Sequence, residues 1–167
     1  MTRKNKDLKI LVRVDGSKNI GLGHVYNMIT ILNKFKNKEI LILMNKEKSL
    51  GKEKFRENFY KVGYFSNQKQ VFNKIKKFNP NMIFNDILNT KIGYVKKIRE
   101  SKACIINFED VGPGRKYSDL VINPIFSTRK KFDNEYYGAE FACVRNEFRI
   151  SKKSKLRKKI KKICVTL

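Results

Sequence analysis

The chain has 167 residues, of which 39 are lysine or arginine and 15 are aspartate or glutamate, so its formal net charge is +24. Its hydrophobic residues make up 41% of the sequence, which is enough for one buried core and predicts a single globular domain. No apolar run approaches the roughly 20 residues that cross a bilayer. The apolar stretch near the N-terminus is interrupted by Lys9 and Arg13, which argues against a signal peptide and predicts a cytoplasmic protein.

Five short apolar segments predict strands of a buried sheet, at residues 8–14, 39–44, 81–85, 103–108 and 120–123. Between them, apolar residues at helical spacing predict helices at 24–35, 52–60, 68–78 and 92–100, with a weaker strand at 62–65. Alternating strands and helices predict a Rossmann-like three-layer α/β domain with a mainly parallel sheet.

The turn after the first strand is the most informative segment. Residues 13–24 read RVDGSKNIGLGH. A glycine-rich turn between a strand and a helix presents backbone N–H groups and the positive end of the helix, where phosphates and other anions bind. The single histidine, His24, ends this turn and is suited to carry a proton near neutral pH. The alternative is that the glycines only permit a tight turn and that His24 only satisfies backbone groups.

The ionisation of His24 can also be anticipated. The helix N-terminus and nearby lysines both disfavour a second positive charge, so we expect a neutral ring near pH 7. A carboxylate bonded to the ring would act in the opposite direction.

Polar residues follow several predicted strands and should meet at the carboxyl edge of the sheet. These are Asn85 and Asp86 after the fourth strand, Glu109 and Asp110 after the fifth, and Asn123 after the sixth. For Asp86 and Asp110, lining a site and capping the next helix are equally open interpretations.

Three polar residues in and after the first strand favour structural roles. Asp15 and Ser17 are predicted to shape the turn by accepting hydrogen bonds from its backbone N–H groups. Arg13 lies inside an apolar strand and is predicted to pair with a buried carboxylate, either Asp15 or Asp110, because an unpaired buried charge is costly.

The cysteines and the basic residues argue against two other functions, metal binding and specific nucleic-acid binding. Cys104, Cys143 and Cys164 lie in apolar segments without metal-ligand spacing, which predicts reduced, buried thiols. With one histidine and no CxxC pair in the chain, we expect no structural zinc site. The net charge alone favours nucleic acid or an anionic surface. However, the lysines are spread along the chain without a nucleic-acid-binding motif, so we expect no specific nucleic acid partner.

The string R-x-D-x-S-x-x-I-G-x-G-H-V at residues 13–25 resembles the N-terminal signature of the UDP-sugar hydrolases of pseudaminic acid biosynthesis and of related spore-coat polysaccharide proteins. These proteins belong with the GT-B glycosyltransferases. Further blocks in the family's order begin at Asn85, Asn107, Asp119 and Tyr137, so the resemblance spans almost the whole chain. One departure is Asn27, where the family commonly has an arginine that would contact an anion.

The resemblance implies the N-terminal half of a GT-B fold. Residues 1–150 would form this domain, and 151–167 would form a basic connector and the first strand of a second, nucleotide-binding domain. From the residues alone, the run 151–162 is interpreted as a solvated connector, with non-specific anion binding as the alternative. A separately encoded C-terminal domain is a further expected partner, and without a second domain we expect little activity.

The implied chemistry is displacement of UDP from the anomeric carbon of a UDP-activated deoxyamino sugar, with water as the nucleophile and His24 as the base. No metal or other cofactor is implied. The alternatives are a GT-B glycosyltransferase half, which uses a sugar or lipid acceptor, and a truncated non-catalytic remnant. The implied substrate-binding residues are Asp15, Gly21, Leu22, Gly23, Asn85, Asp86, Glu109 and Asp110.

Overall fold

The computed structural model describes residues 8–125, 132–150 and 163. Its strands are β1 (Lys9–Val14), β2 (Glu39–Asn45), β3 (Lys61–Phe65), β4 (Met82–Asp86), β5 (Cys104–Phe108), β6 (Leu120–Asn123) and β7 (Glu135–Tyr137). Its helices are α1 (Gly23–Leu32), α2 (Lys52–Glu57), α3 (Gln68–Phe78), α4 (Ile92–Arg99) and α5 (Asn146–Ile150). The strands form one seven-stranded sheet in the order β3-β2-β1-β4-β5-β6-β7, and every pairing is parallel. The predicted Rossmann-like α/β fold is therefore confirmed.

Two apolar layers hold helices against the faces of the sheet. Alternate residues of a strand point to opposite faces, so Ile10 packs in the layer of α1 and Leu11 packs in the layer of α3 and α4. Both side chains are fully buried. The α1 layer contains Val25, Met28 and Leu32, also fully buried. This burial of both sheet faces explains why the strands are continuous apolar runs.

The larger differences from the prediction concern the ends of two helices and the status of two strands. The predicted helix 24–35 ends at Leu32 and continues as a 3-10 turn over Asn33–Phe35. The predicted helix 52–60 ends at Glu57, because the chain reverses through a left-handed Phe59 with φ 63°. Strand β3 is a full member of the sheet, and β7 was not predicted because three residues carry no periodic signal.

The prediction of buried cysteines is wrong for the two that the structure describes. Cys104 is exposed because it is the first residue of β5, and Cys143 is half-buried. Both are free thiols, and partial burial raises the pKa of each. Cys164, the run 151–162 and the predicted strand 163–167, apart from an exposed Ile163, lie outside the described residues.

None of the described helices combines the length and the apolar content that a membrane span requires.

Candidate functional site

The turn between β1 and α1 is closed by backbone contacts. The N–H of Gly16 donates to the carbonyl of Lys48 at 2.9 Å, and the carbonyl of Gly16 accepts from Leu50 at 2.9 Å. A Cβ at Gly16 would lie 2.2 Å from the carbonyl oxygen of Leu50, so this close approach requires glycine. Ser17 Oγ accepts from the N–H of Ile20 at 3.2 Å, which confirms its predicted role in shaping the turn.

Asp15 has a different structural role from the one predicted. Its Oδ2 accepts from Arg13 at 2.8 Å, a second guanidinium nitrogen lies 2.7 Å from Oδ1, and the backbone N–H of Asn45 donates to Oδ1 at 3.1 Å. The predicted pairing of Arg13 with Asp15 is confirmed. Among the contacts of the described residues, Asp15 joins β1 to the end of β2 and accepts no hydrogen bond from its own turn.

The outer side of the turn is open. A Cβ added at Gly21 or Gly23 would meet no other atom within 4 Å. Leu22, between them, is half-buried against the α1 core. No side chain of the described residues caps the N-terminus of α1, so within this part of the chain its first backbone N–H groups have no side-chain acceptor. Anion binding at this end of α1, which the sequence predicts, stays a prediction.

His24 and Asp86 form the central pair of the site. His24 is the second residue of α1, and Asp86 is the last residue of β4. Because β1 and β4 are neighbours, Asp86 lies opposite Val14 and reaches the start of α1. His24 Nδ1 lies 2.6 Å from Asp86 Oδ1. When Nδ1–H donates to this carboxylate, Nε2 is left to accept a proton, as in other histidine bases oriented by a carboxylate.

The pair also sets the proton affinity of both groups. The hydrogen bond that His24 donates to the Asp86 carboxylate raises the pKa of His24, and this outweighs the opposing effect of partial burial. Burial disfavours the charged form of Asp86 and raises the pKa of its carboxyl to about 6. The expected lowering of the His24 pKa is therefore wrong in direction: the Asp86 carboxylate, with the charges of Glu109 and Asp15, raises it, as anticipated for a carboxylate bonded to the ring. The two groups titrate as a coupled pair.

Glu109 and Asn27 extend the site along α1. Glu109 follows β5 with a left-handed backbone, φ 53°, which is a strained conformation for this residue type. Its Oε1 accepts from Asn27 Nδ2 at 3.3 Å. Asn27 lies one helical turn after His24, on the same side of α1. Asn27 stands out in the sequence only as a departure from the pattern of the proteins that the chain resembles, but its i, i+3 spacing to His24 indicates its place in the site.

Asp110 is fully buried beneath this surface. Its Oδ1 accepts from the backbone N–H groups of Thr90 at 3.0 Å and Gly112 at 2.8 Å. Its Oδ2 accepts from Asn107 Nδ2 at 2.7 Å and from the Thr90 hydroxyl. Asp110 therefore fixes the loop that leads into α4. Among the described residues no side chain caps α4 or the 3-10 helix Pro113–Tyr117 that follows Asp110, so this role differs from the capping interpretation.

Asn85 and Asn123 belong to the same buried network. Asn85 donates to Asn107 Oδ1 at 2.9 Å and accepts from the hydroxyl of Tyr94 at 2.9 Å. Asn123 donates to the carbonyl of Asp110 at 3.1 Å. The structure thus brings the half-buried His24 and Glu109 together with the buried Asp86, and it places Asn85, Asp110 and Asn123 in the buried network below them.

A cavity of about 390 Å³ adjoins the pair. It lies between α1, the strands β4 to β6 and residues 141–143. Its walls are mostly apolar, and its polar end contains Asn27, Asp86 and Glu109. Within the described ranges there is no cluster of three or more histidine, cysteine, aspartate or glutamate side chains that could hold a metal ion.

Comparison with known proteins supports the fold. No protein-family model matches the chain. The uncharacterized protein MJ1062 of Methanocaldococcus jannaschii is 33% identical over 162 residues, which covers 89% of this chain and 33% of that protein. The chain thus spans about a third of the length of this relative.

A crystal structure of Acinetobacter baumannii MurG superposes with a TM-score of 0.62 at 6% sequence identity, covering 78% of this chain and 44% of MurG. At this identity the likeness concerns the fold alone. The chain has the fold of one half of a GT-B protein.

Proposed function

We propose that the chain forms one half of a nucleotide-sugar-dependent enzyme that displaces a nucleoside diphosphate from the anomeric carbon of a sugar. The observation that carries this proposal is the His24–Asp86 pair at the uncapped N-terminus of α1, directly after the glycine-rich turn. One end of one helix thus combines a base that a carboxylate orients with a place for an anion.

In the proposed reaction, His24 Nε2 takes the proton of the attacking O–H group. The nucleophile's oxygen forms a bond to the anomeric carbon as the bond from that carbon to the diphosphate oxygen breaks, with inversion. The proton remains on His24, and the Asp86 carboxylate stabilises the resulting imidazolium. The N–H groups and the positive end of α1 oppose the charge that grows on the diphosphate.

Transfer of the sugar to a hydroxyl acceptor is the first candidate, because the GT-B likeness supports a glycosyltransferase half. Hydrolysis, with water as the nucleophile, is the second candidate. It is favoured by the signature at residues 13–25, which resembles UDP-sugar hydrolases and also supports a UDP-activated deoxyamino sugar as the substrate. We place either activity in the cytoplasm, where activated sugar nucleotides are used.

The nucleotide site requires more than these residues. The relative from Methanocaldococcus jannaschii is about three times as long as the matched region. This supports the proposal that a second domain, continuous or separately encoded, completes the site. Residues 1–150 would then be the first domain of the enzyme.

The test is release of UDP from a UDP-sugar by the chain together with its second domain. His24→Ala and His24→Asn should each lower kcat by about 10²–10⁴-fold, the range typical of a lost general base. Glu100→Gln, which alters an exposed ion pair with Lys97, should leave kcat unchanged. If His24→Asn retained most of the activity while His24→Ala lost it, His24 would position substrate and would not be the base.

A further inference from the structure

The cavity beside the His24–Asp86 pair has the size of a small-molecule site. Its volume of about 390 Å³ falls in the range of roughly 300–1,000 Å³ that is usual for such sites. Apolar side chains from the helix and the sheet form its body, among them Met28, Phe84, Phe108 and Ile122. Filling this space with an apolar group is favourable, because apolar surface is then removed from water.

One end of the cavity is acidic, although the chain carries a net charge of +24. Sixteen of the described residues line the cavity, and the only charged ones are Asp86 and Glu109. Asp86 raises the pKa of His24 through its hydrogen bond and its charge, and the charge of Glu109 raises the pKa of both His24 and Asp86. The cavity end therefore favours a positively charged group.

A hydrogen-bond acceptor at this end has no donor. Asp86 Oδ1 is engaged by His24, but Oδ2 is buried and has no hydrogen-bond partner among the described residues. A buried carboxylate oxygen without a donor is unfavourable, and such exceptions in folded proteins call for an explanation. Glu109 lies at the same end of the cavity, and its left-handed backbone is a strained conformation.

We propose that this cavity binds a cationic amphiphile, a small molecule with a compact apolar body and a primary ammonium group at one end. The body occupies the space between α1 and β6, and the ammonium group lies between Asp86 and Glu109. An ammonium group carries three N–H donors and a positive charge, so it satisfies Asp86 Oδ2 and Glu109 together. This site is distinct in chemistry from the uncapped end of α1, which receives an anion, and it does not depend on the proposed function.

The test uses three eight-carbon ligands that differ in their head group: octylamine, octanol and octanoate. Each is titrated into the chain without nucleotide, and binding is followed by the NMR signals of His24, the only histidine. Octylamine should shift these signals and lower the pKa of His24, because it adds a positive charge beside the ring. Its Kd should be at least about tenfold lower than that of octanoate, with octanol between them.

Two isoleucine substitutions locate the binding. Ile122→Phe fills the cavity and should raise the Kd of octylamine at least about tenfold. Ile92→Phe places the same change on an exposed position of α4, outside the cavity, and should leave the Kd unchanged. The site does not exist as proposed if octylamine leaves the His24 signals in place, if octanoate binds as well as octylamine, or if both variants weaken binding equally. Should Ile122→Phe not fold, as judged by circular dichroism, the head-group series on the unaltered chain decides the question.

Discussion

Asp86 is almost completely buried behind His24 and gives the histidine a carboxylate partner at 2.6 Å. Asp86→Asn keeps the shape of this side chain but removes its charge. Since the hydrogen bond and the charge of Asp86 both raise the pKa of His24, the variant should have a lower His24 pKa in an NMR titration. In the assembled enzyme the acidic limb of the kcat/KM profile should move to lower pH, because a base works when it is deprotonated.

Glu100→Gln serves as the control, because Glu100 is paired with Lys97 at the exposed end of α4. Its His24 titration should coincide with that of the unaltered chain. An unchanged or higher His24 pKa in Asp86→Asn would show that the carboxylate does not support the imidazolium.

The same pair predicts how stability depends on pH. The folded pKa of Asp86 is raised to about 6, above its ordinary value of about 3.9. Its contribution to stability is therefore present below pH 4 and is lost as the pH rises to about 6. The pKa of His24 is also raised, so its contribution to stability is likewise lost as the pH rises above the ordinary histidine value of 6.5. The free energy of unfolding of the unaltered chain, relative to Asp86→Asn, should fall on the order of 2 kcal/mol between pH 4 and 8, as measured by urea denaturation.

If the free energy of unfolding of the unaltered chain, relative to Asp86→Asn, rose with pH, this coupling would be contradicted. A relative free energy that stayed constant with pH would contradict it too, because it would mean that neither group changes its pKa on folding.

Glu109 tests whether the site stores strain in the backbone. Its φ of 53° is tolerated better by asparagine than by other non-glycine residues. Glu109→Asn should therefore be more stable than Glu109→Gln by about 0.5–1 kcal/mol in urea denaturation. Both substitutions remove the same charge, and only glutamine can keep the hydrogen bond from Asn27, so a more stable Glu109→Asn would show that the backbone effect exceeds the loss of this contact. Equal stability of the two variants would argue against strain at this position.

At the level of secondary structure, the loop after β5 is packed tightly against the loop before α4. A Cβ at Gly112 would lie 2.4 Å from both the backbone nitrogen and the carbonyl oxygen of Thr90. Gly112→Ala should separate these loops, disturb the hydrogen bonds of Asp110 and cost about 1–3 kcal/mol. Gly93→Ala, in α4, meets no atom within 4 Å and should stabilise the chain by about 0.5–1 kcal/mol.

Thermal unfolding of the two alanine variants measures both effects. If Gly112→Ala proved as stable as Gly93→Ala, the two loops would have room to adjust. Their packing would then not hold the loop after β5, which contains Glu109, in place.

The sequence predicts the bounds of an element correctly where capping residues mark both of its ends. Helix α3 has the predicted bounds, Gln68–Phe78, because Asn67 caps its start and Asn79 adopts a left-handed conformation at its end. Strand β7 has only three residues and no apolar run, so no periodicity reveals it. The exposure of Cys104 likewise depends on where β5 begins, which differs by one residue from the prediction.

The site could be predicted only in part, because its central contact joins distant segments. His24 and Asp86 are 62 residues apart in sequence and meet because β1 lies next to β4. Periodicity predicts strands but not their order in the sheet. Asn85 and Asp110 were selected by the same rule as Asp86, polar residues after strands, yet side-chain direction places them in the buried network.

For the molecule as a whole, the excess of basic residues exceeds what ion pairs can neutralise. Even if each of the 15 acidic side chains paired with one of the 39 basic ones, 39 − 15 = 24 positive charges would remain. Described pairs such as Lys9–Glu39 and Lys97–Glu100 are exposed, and pairs of this kind contribute little to stability. Repulsion among the remaining lysines and arginines therefore opposes the compact state.

Salt should relieve this repulsion and stabilise the fold. The screening length shortens from about 10 Å at 0.1 M salt to about 3 Å at 1 M, so distant like charges lose their interaction while the short, buried contact of His24 with Asp86 is affected less. We expect Tm to rise by several degrees, roughly 1 kcal/mol of stability, between 0.05 and 0.5 M sodium chloride. A variant in which four exposed lysines are replaced by glutamine should show a smaller rise, since it has less repulsion to screen. Suitable exposed positions are Lys18, Lys36, Lys69 and Lys116, as none is paired with a carboxylate among the described ion pairs. A Tm that falls with salt in the unaltered chain would mean that attractive ion pairs, and not the excess of positive charge, dominate the electrostatics of the fold.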